Sequence, residues 1–175
     1  MAVWVAFLRG INVGGNRKLP MAELRSLCEE AGLTDVRTYI ASGNLVFSST
    51  MRSSAKVREL IEQRIEEHFG FPVVVVVRTP KQLREVVDGL PFDDADHAHV
   101  SFMVSGSERA ATEELQEALI NDARLEVVGD HAYLLVPNGL GQGFLRPGAD
   151  RKFGKVGTVR NWRTVGKVLA MAEGD

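Results

Sequence analysis

The apolar residues of the first half change their spacing along the chain, and the order of those changes leaves few folds open. Val3–Leu8 is dense in β-branched and aromatic residues, stops at Gly10 and reads as a buried strand. From Met21 the apolar set Met21, Leu24, Leu27, Cys28 and Ala31 takes helical spacing, with Pro20 at the entrance and Gly32 as the stop. The stretch VRTYIASGNLVFSS then gives two strand-like runs joined by Ser42-Gly43-Asn44, a hairpin signature. A second helix, with Ser53 or Ser54 as N-cap, places Val57, Leu60, Ile61, Ile65 and Phe69 on one face and ends at Gly70. The valine run Val73–Val77 returns as a strand buried on both faces. Strand, helix, strand, strand, helix, strand is the ferredoxin-like unit, and it is complete by Arg78.

The remaining residues repeat most of this order. A short helix is expected over 80–88, a strand in HVSFMV, a helix over Glu108–Asn121 with Leu115, Leu119 and Ile120 inward, and a hairpin from RLEVV to HAYLLVP. The glycine-rich, cationic NGLGQGFLRPGADRKFGKVG follows as a loop, and Thr158–Ala172 is expected to close the chain as a helix. No final strand is evident. The expected fold is therefore α/β in the α+β sense: two ferredoxin-like βαββαβ-type halves, 1–78 and 79–175, the second degenerate, arising by tandem duplication and packed together.

Composition narrows the functional classes. Hydrophobic residues at 45% and charged residues at 25% suit a folded globular chain. The longest apolar runs, AVWVAFL and FPVVVVV, are too short to span a bilayer, and the N-terminal stretch has no signal-peptide pattern. One cysteine cannot close an internal disulfide, so a reducing cytoplasm is the expected location. The net charge of −2 hides an asymmetry: residues 79–130 hold four Lys/Arg against twelve Asp/Glu, whereas 131–175 hold seven against three.

FLRGINVGGNRKLP, residues 7–20, joins the first strand to the first helix with three glycines, three cations and no acid. Glycine-rich loops at that position often present N–H groups to phosphate. Gly10 and Gly15 have P-loop spacing, but Asn16-Arg17 stands where Lys and Ser/Thr are needed, and G-x-G-x-x-G is absent. P-loop hydrolysis and Rossmann dinucleotide binding are thus excluded as readings. What remains is either an anion-binding loop built on Arg9, Asn12, Gly14, Gly15 and Lys18, or a turn in which Gly14-Gly15 supplies positive φ. At the other end, a terminal helix would set Arg160, Thr164 and Lys167 on one polar face and Trp162, Val165 and Leu169 on a buried one.

FLRGINVGG, YIASGNLVF and TVRNWRTVGKVL together resemble the signature segments of the bacterial family known as domain of unknown function 1697. The resemblance covers nearly the whole chain and implies a two-lobed fold of ferredoxin-like halves. It implies no activity, and it marks Arg9, Gly10, Asn12, Gly14, Gly15, Ser42, Gly43, Asn44, Arg160, Asn161, Trp162 and Thr164 as the matching positions. Asn16 stands where the family often has Lys, and Arg163 where it often has Asn.

The other chemical groups point elsewhere. Asp93, Asp94, Asp96, His97 and His99 in DDADHAH lack any metal-site spacing, so no metal is expected, and no cofactor. Cys28 lies on an apolar helix face and reads as inert, and Ser42 lacks the nucleophile-elbow pattern. No catalytic residue can be assigned. The expected function is a binding module for a phosphate-bearing ligand, either a nucleotide-like small molecule or single-stranded nucleic acid. The expected site combines Arg9, Asn12, Gly14, Gly15 and Lys18 with Ser42 and Asn44 and with Arg160, Asn161 and Thr164. An enzyme acting on a phosphorylated small molecule and a ligand-free interaction protein are the alternatives.

Overall fold

The computed structural model describes residues 1–175. Residues Met1–Arg84 and Lys167–Asp175 form one compact unit, and Glu85–Gly166 a second. No helix is long and apolar enough to cross a membrane.

In the first unit, β1 (Ala2–Leu8), α1 (Met21–Glu30), β2 (Thr34–Tyr39), β3 (Asn44–Ser49), α2 (Ser54–Phe69) and β4 (Val75–Arg78) follow one another as the apolar spacing requires. Their sheet has the order β2-β3-β1-β4, antiparallel throughout, with Val5 opposite both Val46 and Arg78. This is the ferredoxin-like arrangement. Ser53 caps α2 by accepting from the Lys56 amide at 3.4 Å, and Gly70 ends it at φ 77°, the left-handed conformation glycine adopts without a Cβ clash. Leu24, Leu27, Val57, Ile61 and Ile65 turn inward onto Ala6, Leu8, Leu45, Phe47, Val75 and Val77, and each large side chain buried this way stabilises the fold by about 1.5–3 kcal/mol. The Trp4 indole N–H, within this core, donates to the Met51 carbonyl at 3.2 Å.

After α3 (Pro80–Asp88), the second unit holds β5 (Ala98–Phe102), α4 (Gly106–Glu114), β6 (Arg124–Val128), β7 (His131–Leu135), the short α5 (Asp150–Phe153) and β8 (Thr158–Asn161). The sheet order is β6-β7-β5-β8, again antiparallel. The sheet therefore has the fourth strand that its sequence does not announce. Thr158–Asn161 pairs with β5, and α6 (Trp162–Glu173) starts only afterwards. α4 is shorter than its apolar spacing suggests, because the chain tightens into a 3-10 turn at Leu115–Ala118. Ser105 caps α4 by accepting from the Glu108 amide, while the Glu108 carboxylate accepts from the amide of Val104, the residue before the cap, at 2.9 Å; the two bonds together fix the helix start. The core gathers Met103, Leu115, Leu125, Leu134, Phe144 and Leu145. The Gly157 Cα stands over Ser101 so closely that a Cβ there would lie 1.9 Å from the Ser101 Oγ, so a larger residue would force the Ser101 side chain to move.

Candidate functional site

The connection from β1 to α1 is a miniature hairpin. The Asn16 amide donates to the Val13 carbonyl at 3.1 Å, the Asn12 amide donates to the Arg17 carbonyl at 3.1 Å, and Val13 and Asn16 form a β-bridge. Gly14 and Gly15 make its turn at φ 59° and 76°, the pair of positive values that a type I′ turn requires. The glycines thus serve the turn. The Asn12 and Asn16 amides close the hairpin internally, and residues 12–18 are all exposed.

Asn12 anchors this hairpin. Its Oδ1 accepts from the Leu19 amide at 2.8 Å, and its Nδ2 donates to the carbonyls of Leu19 at 2.9 Å and Ala41 at 2.8 Å. The last of these bonds ties the first signature segment to the second. The Leu8 amide donates to the Gly43 carbonyl at 2.8 Å, and a Cβ on Gly43 would sit 2.7 Å from the Leu8 Cβ. Asn44 is fully buried, and its Nδ2 donates to the Tyr39 carbonyl at 2.8 Å and to the Ser42 Oγ at 3.1 Å. The structure therefore brings the two segments together and uses their amides to fasten each other.

The cations beside them differ in placement. Arg9 is half-buried at the end of β1, its amide donating to the Val74 carbonyl at 3.0 Å. Arg17 and Lys18 are exposed and form no ion pair. The Arg17 guanidinium lies 6.0 Å from the Phe71 ring centroid and donates weakly to the Pro72 carbonyl at 3.4 Å. Phe71 in turn lies 6.1 Å from Phe69, centroid to centroid. Sequence spacing gave no notice of this cation–aromatic pair, since Arg17 and Phe71 meet only through the sheet.

The third segment belongs to the second unit and differs from its sequence reading. Arg160 lies on β8, opposite Val100, and is only 8% exposed; it is not on a helical surface. Burial pulls its pKa down to about 10, so it remains charged at neutral pH, and its Nη1 donates to the Val159 carbonyl at 2.9 Å. Asn161 is the helix cap, its Oδ1 accepting from the Thr164 amide at 2.8 Å. Thr164 is buried with Val165, Val168 and Leu169, so the inward stripe of α6 is shifted from the one expected. Trp162 lies at its edge, half-buried, with no hydrogen bond to its indole N–H. A strand end that runs directly into a capped helix defeats a purely periodic reading, because Arg160 belongs to one period and Thr164 to the other.

Of the remaining groups, Cys28 is buried, and desolvation, aided by Glu29, pushes its thiol up to about 12. A thiol so protonated is a poor nucleophile. Asp94 and His97 pair with each other, the His97 Nδ1 lying 2.8 Å from the Asp94 carboxylate.

Two ferredoxin-like antiparallel sheets, the first presenting a glycine-turned cationic hairpin fastened by paired asparagines, define an α+β protein of repeated architecture. The family model described as "Protein of unknown function (DUF1697)" matches residues 1–133, and the chain belongs to that family. Among solved structures, the fold is similar to that of a conserved bacterial protein from Streptococcus pneumoniae, with 26% identity, a TM-score of 0.81 and 99% of each chain covered.

Proposed function

We propose that this chain is a cytoplasmic binding module for a phosphate-bearing ligand, that single-stranded nucleic acid is the form its first loop suits, and that its halves arose by tandem duplication. The observation that carries the ligand reading is the pairing of Arg17 with Phe71 on a hairpin whose other cation, Lys18, is also exposed and without an acidic partner. An exposed hairpin with two adjacent cations, Arg17 and Lys18, can lie along a flexible phosphate chain. Cations track such a backbone, and the Arg17 guanidinium, held beside the half-buried Phe71 ring, offers a base its other face for stacking. The asparagine anchors favour the same reading, because they hold the cations on a rigid support rather than a mobile loop.

Duplication is supported by a detail of the two sheets. Arg78 ends β4 with its Nη1 on the Val77 carbonyl at 2.9 Å, and Thr79 then caps α3 by accepting from the Gln82 amide at 3.2 Å. Arg160, Asn161 and α6 repeat that order at the end of β8.

The test is fluorescence anisotropy of a short labelled oligothymidylate at low salt. The wild-type chain should bind saturably, and R17A/K18A should weaken binding by about tenfold or more, whereas K81A, an exposed cation on α3, should change nothing. Absence of saturable binding, or equal affinity in R17A/K18A, would remove the proposal.

A further inference from the structure

A cleft of about 510 Å³ opens within the second unit, lined by Ala95, Asp96, His99, Asn161, Trp162 and Arg163. That volume lies in the range of small-molecule sites. Its walls come from segments whose sequence motifs looked unrelated: the acidic DDADHAH run and the start of α6. The register of β5 against β8 joins them, for His99 stands directly opposite Asn161.

The lining has an unusual amount of unused hydrogen-bonding capacity. The His99 Nδ1 is buried and makes no hydrogen bond. Burial holds the imidazole below its ordinary value of 6.5, partly opposed by the His97 backbone, so His99 is neutral at pH 7, with Nδ1 as its unpartnered nitrogen. The Trp162 indole N–H and the Arg163 guanidinium have no partner within the protein, and neither has Asp96. Asp96 and Arg163 share the cleft without forming an ion pair. Opposite charges held apart beside a half-buried aromatic face suit a ligand that carries complementary groups at two ends.

We infer that this cleft is a small-molecule site for a nucleoside monophosphate, with the base against Trp162 and the phosphate on Arg163. Asp96 and His99 meet the N–H donors and ring nitrogens of the base, while the guanidinium supplies the anion contact. Neither end alone engages the whole lining. The site is built of other residues than the proposed oligonucleotide surface on the first hairpin, and the two are testable independently.

Intrinsic fluorescence reads the cleft directly. The chain has two tryptophans, and Trp4 is 5% exposed in the first core with its indole N–H bound to Met51, so a ligand-dependent change belongs to Trp162. Titration with AMP, GMP, CMP and UMP should give saturable quenching by at least one of them. Its free nucleoside and ribose 5-phosphate should each bind at least tenfold more weakly. Arg163→Ala, at an exposed position, and His99→Gln should each weaken the nucleotide at least tenfold, and R17A/K18A should leave it unchanged. If His99→Gln fails to fold, Arg163→Ala still decides. The inference is overturned if none of the four quenches below millimolar concentration, if ribose 5-phosphate matches the nucleotide, or if Arg163→Ala leaves the affinity intact.

Discussion

At the residue scale, the signature asparagines act on the fold first and on any ligand second. Asn12 satisfies Leu19 twice and Ala41 once, and Leu19 is fully buried beneath it. Asn12→Ala should therefore cost about 1–3 kcal/mol, the penalty for backbone groups left without partners. Chemical denaturation gives the loss, and faster amide exchange at Leu19 would place it in the hairpin; unchanged stability would refute the anchoring role. His99 supplies a pH prediction. Its folded-state value lies below the unfolded 6.5, so the unfolded chain binds the proton more readily. Stability should thus fall as pH drops below about 6.5, and His99→Gln should flatten that part of the profile relative to wild type. A parallel slope in both proteins would mean that His99 is not desolvated.

At the element scale, the sequence exposes most of the first sheet and little of the end of the second. β1, α1, the β2–β3 hairpin, α2 and β4 are readable because apolar period, caps and glycine stops agree there. At Thr158–Glu173 the strand and the helix abut with Asn161 as the only boundary, and the run Val159, Trp162, Val165 mimics one continuous helical face. The cleft at His99 was illegible for a related reason: it depends on the β5–β8 register, which no local pattern encodes. The reassignment of Arg160 changes what its removal should do. A guanidinium with 8% exposure contributes packing and buried hydrogen bonds, so Arg160→Ala should cost on the order of 2–4 kcal/mol and lower the melting temperature by several degrees. Calorimetry checks this, and a melting temperature within a degree of wild type would return Arg160 to the surface reading.

At the scale of the whole molecule, two sheets of identical strand order carry two different surfaces: an exposed cationic hairpin in one unit and a half-open cleft in the other. The net charge of −2 gives no hint of the first, because the acidic middle offsets the cation excess around residues 9–18. Whether that local excess meets phosphate is best read from salt dependence, since each phosphate contact to a single strand adds about 0.7 to the steepness of log affinity against log salt concentration. For the wild-type chain and R17A/K18A binding the same oligothymidylate, the double substitution should flatten the slope by about 1.4, two contacts' worth. Equal slopes for the two proteins would contradict the assignment of Arg17 and Lys18 as phosphate contacts.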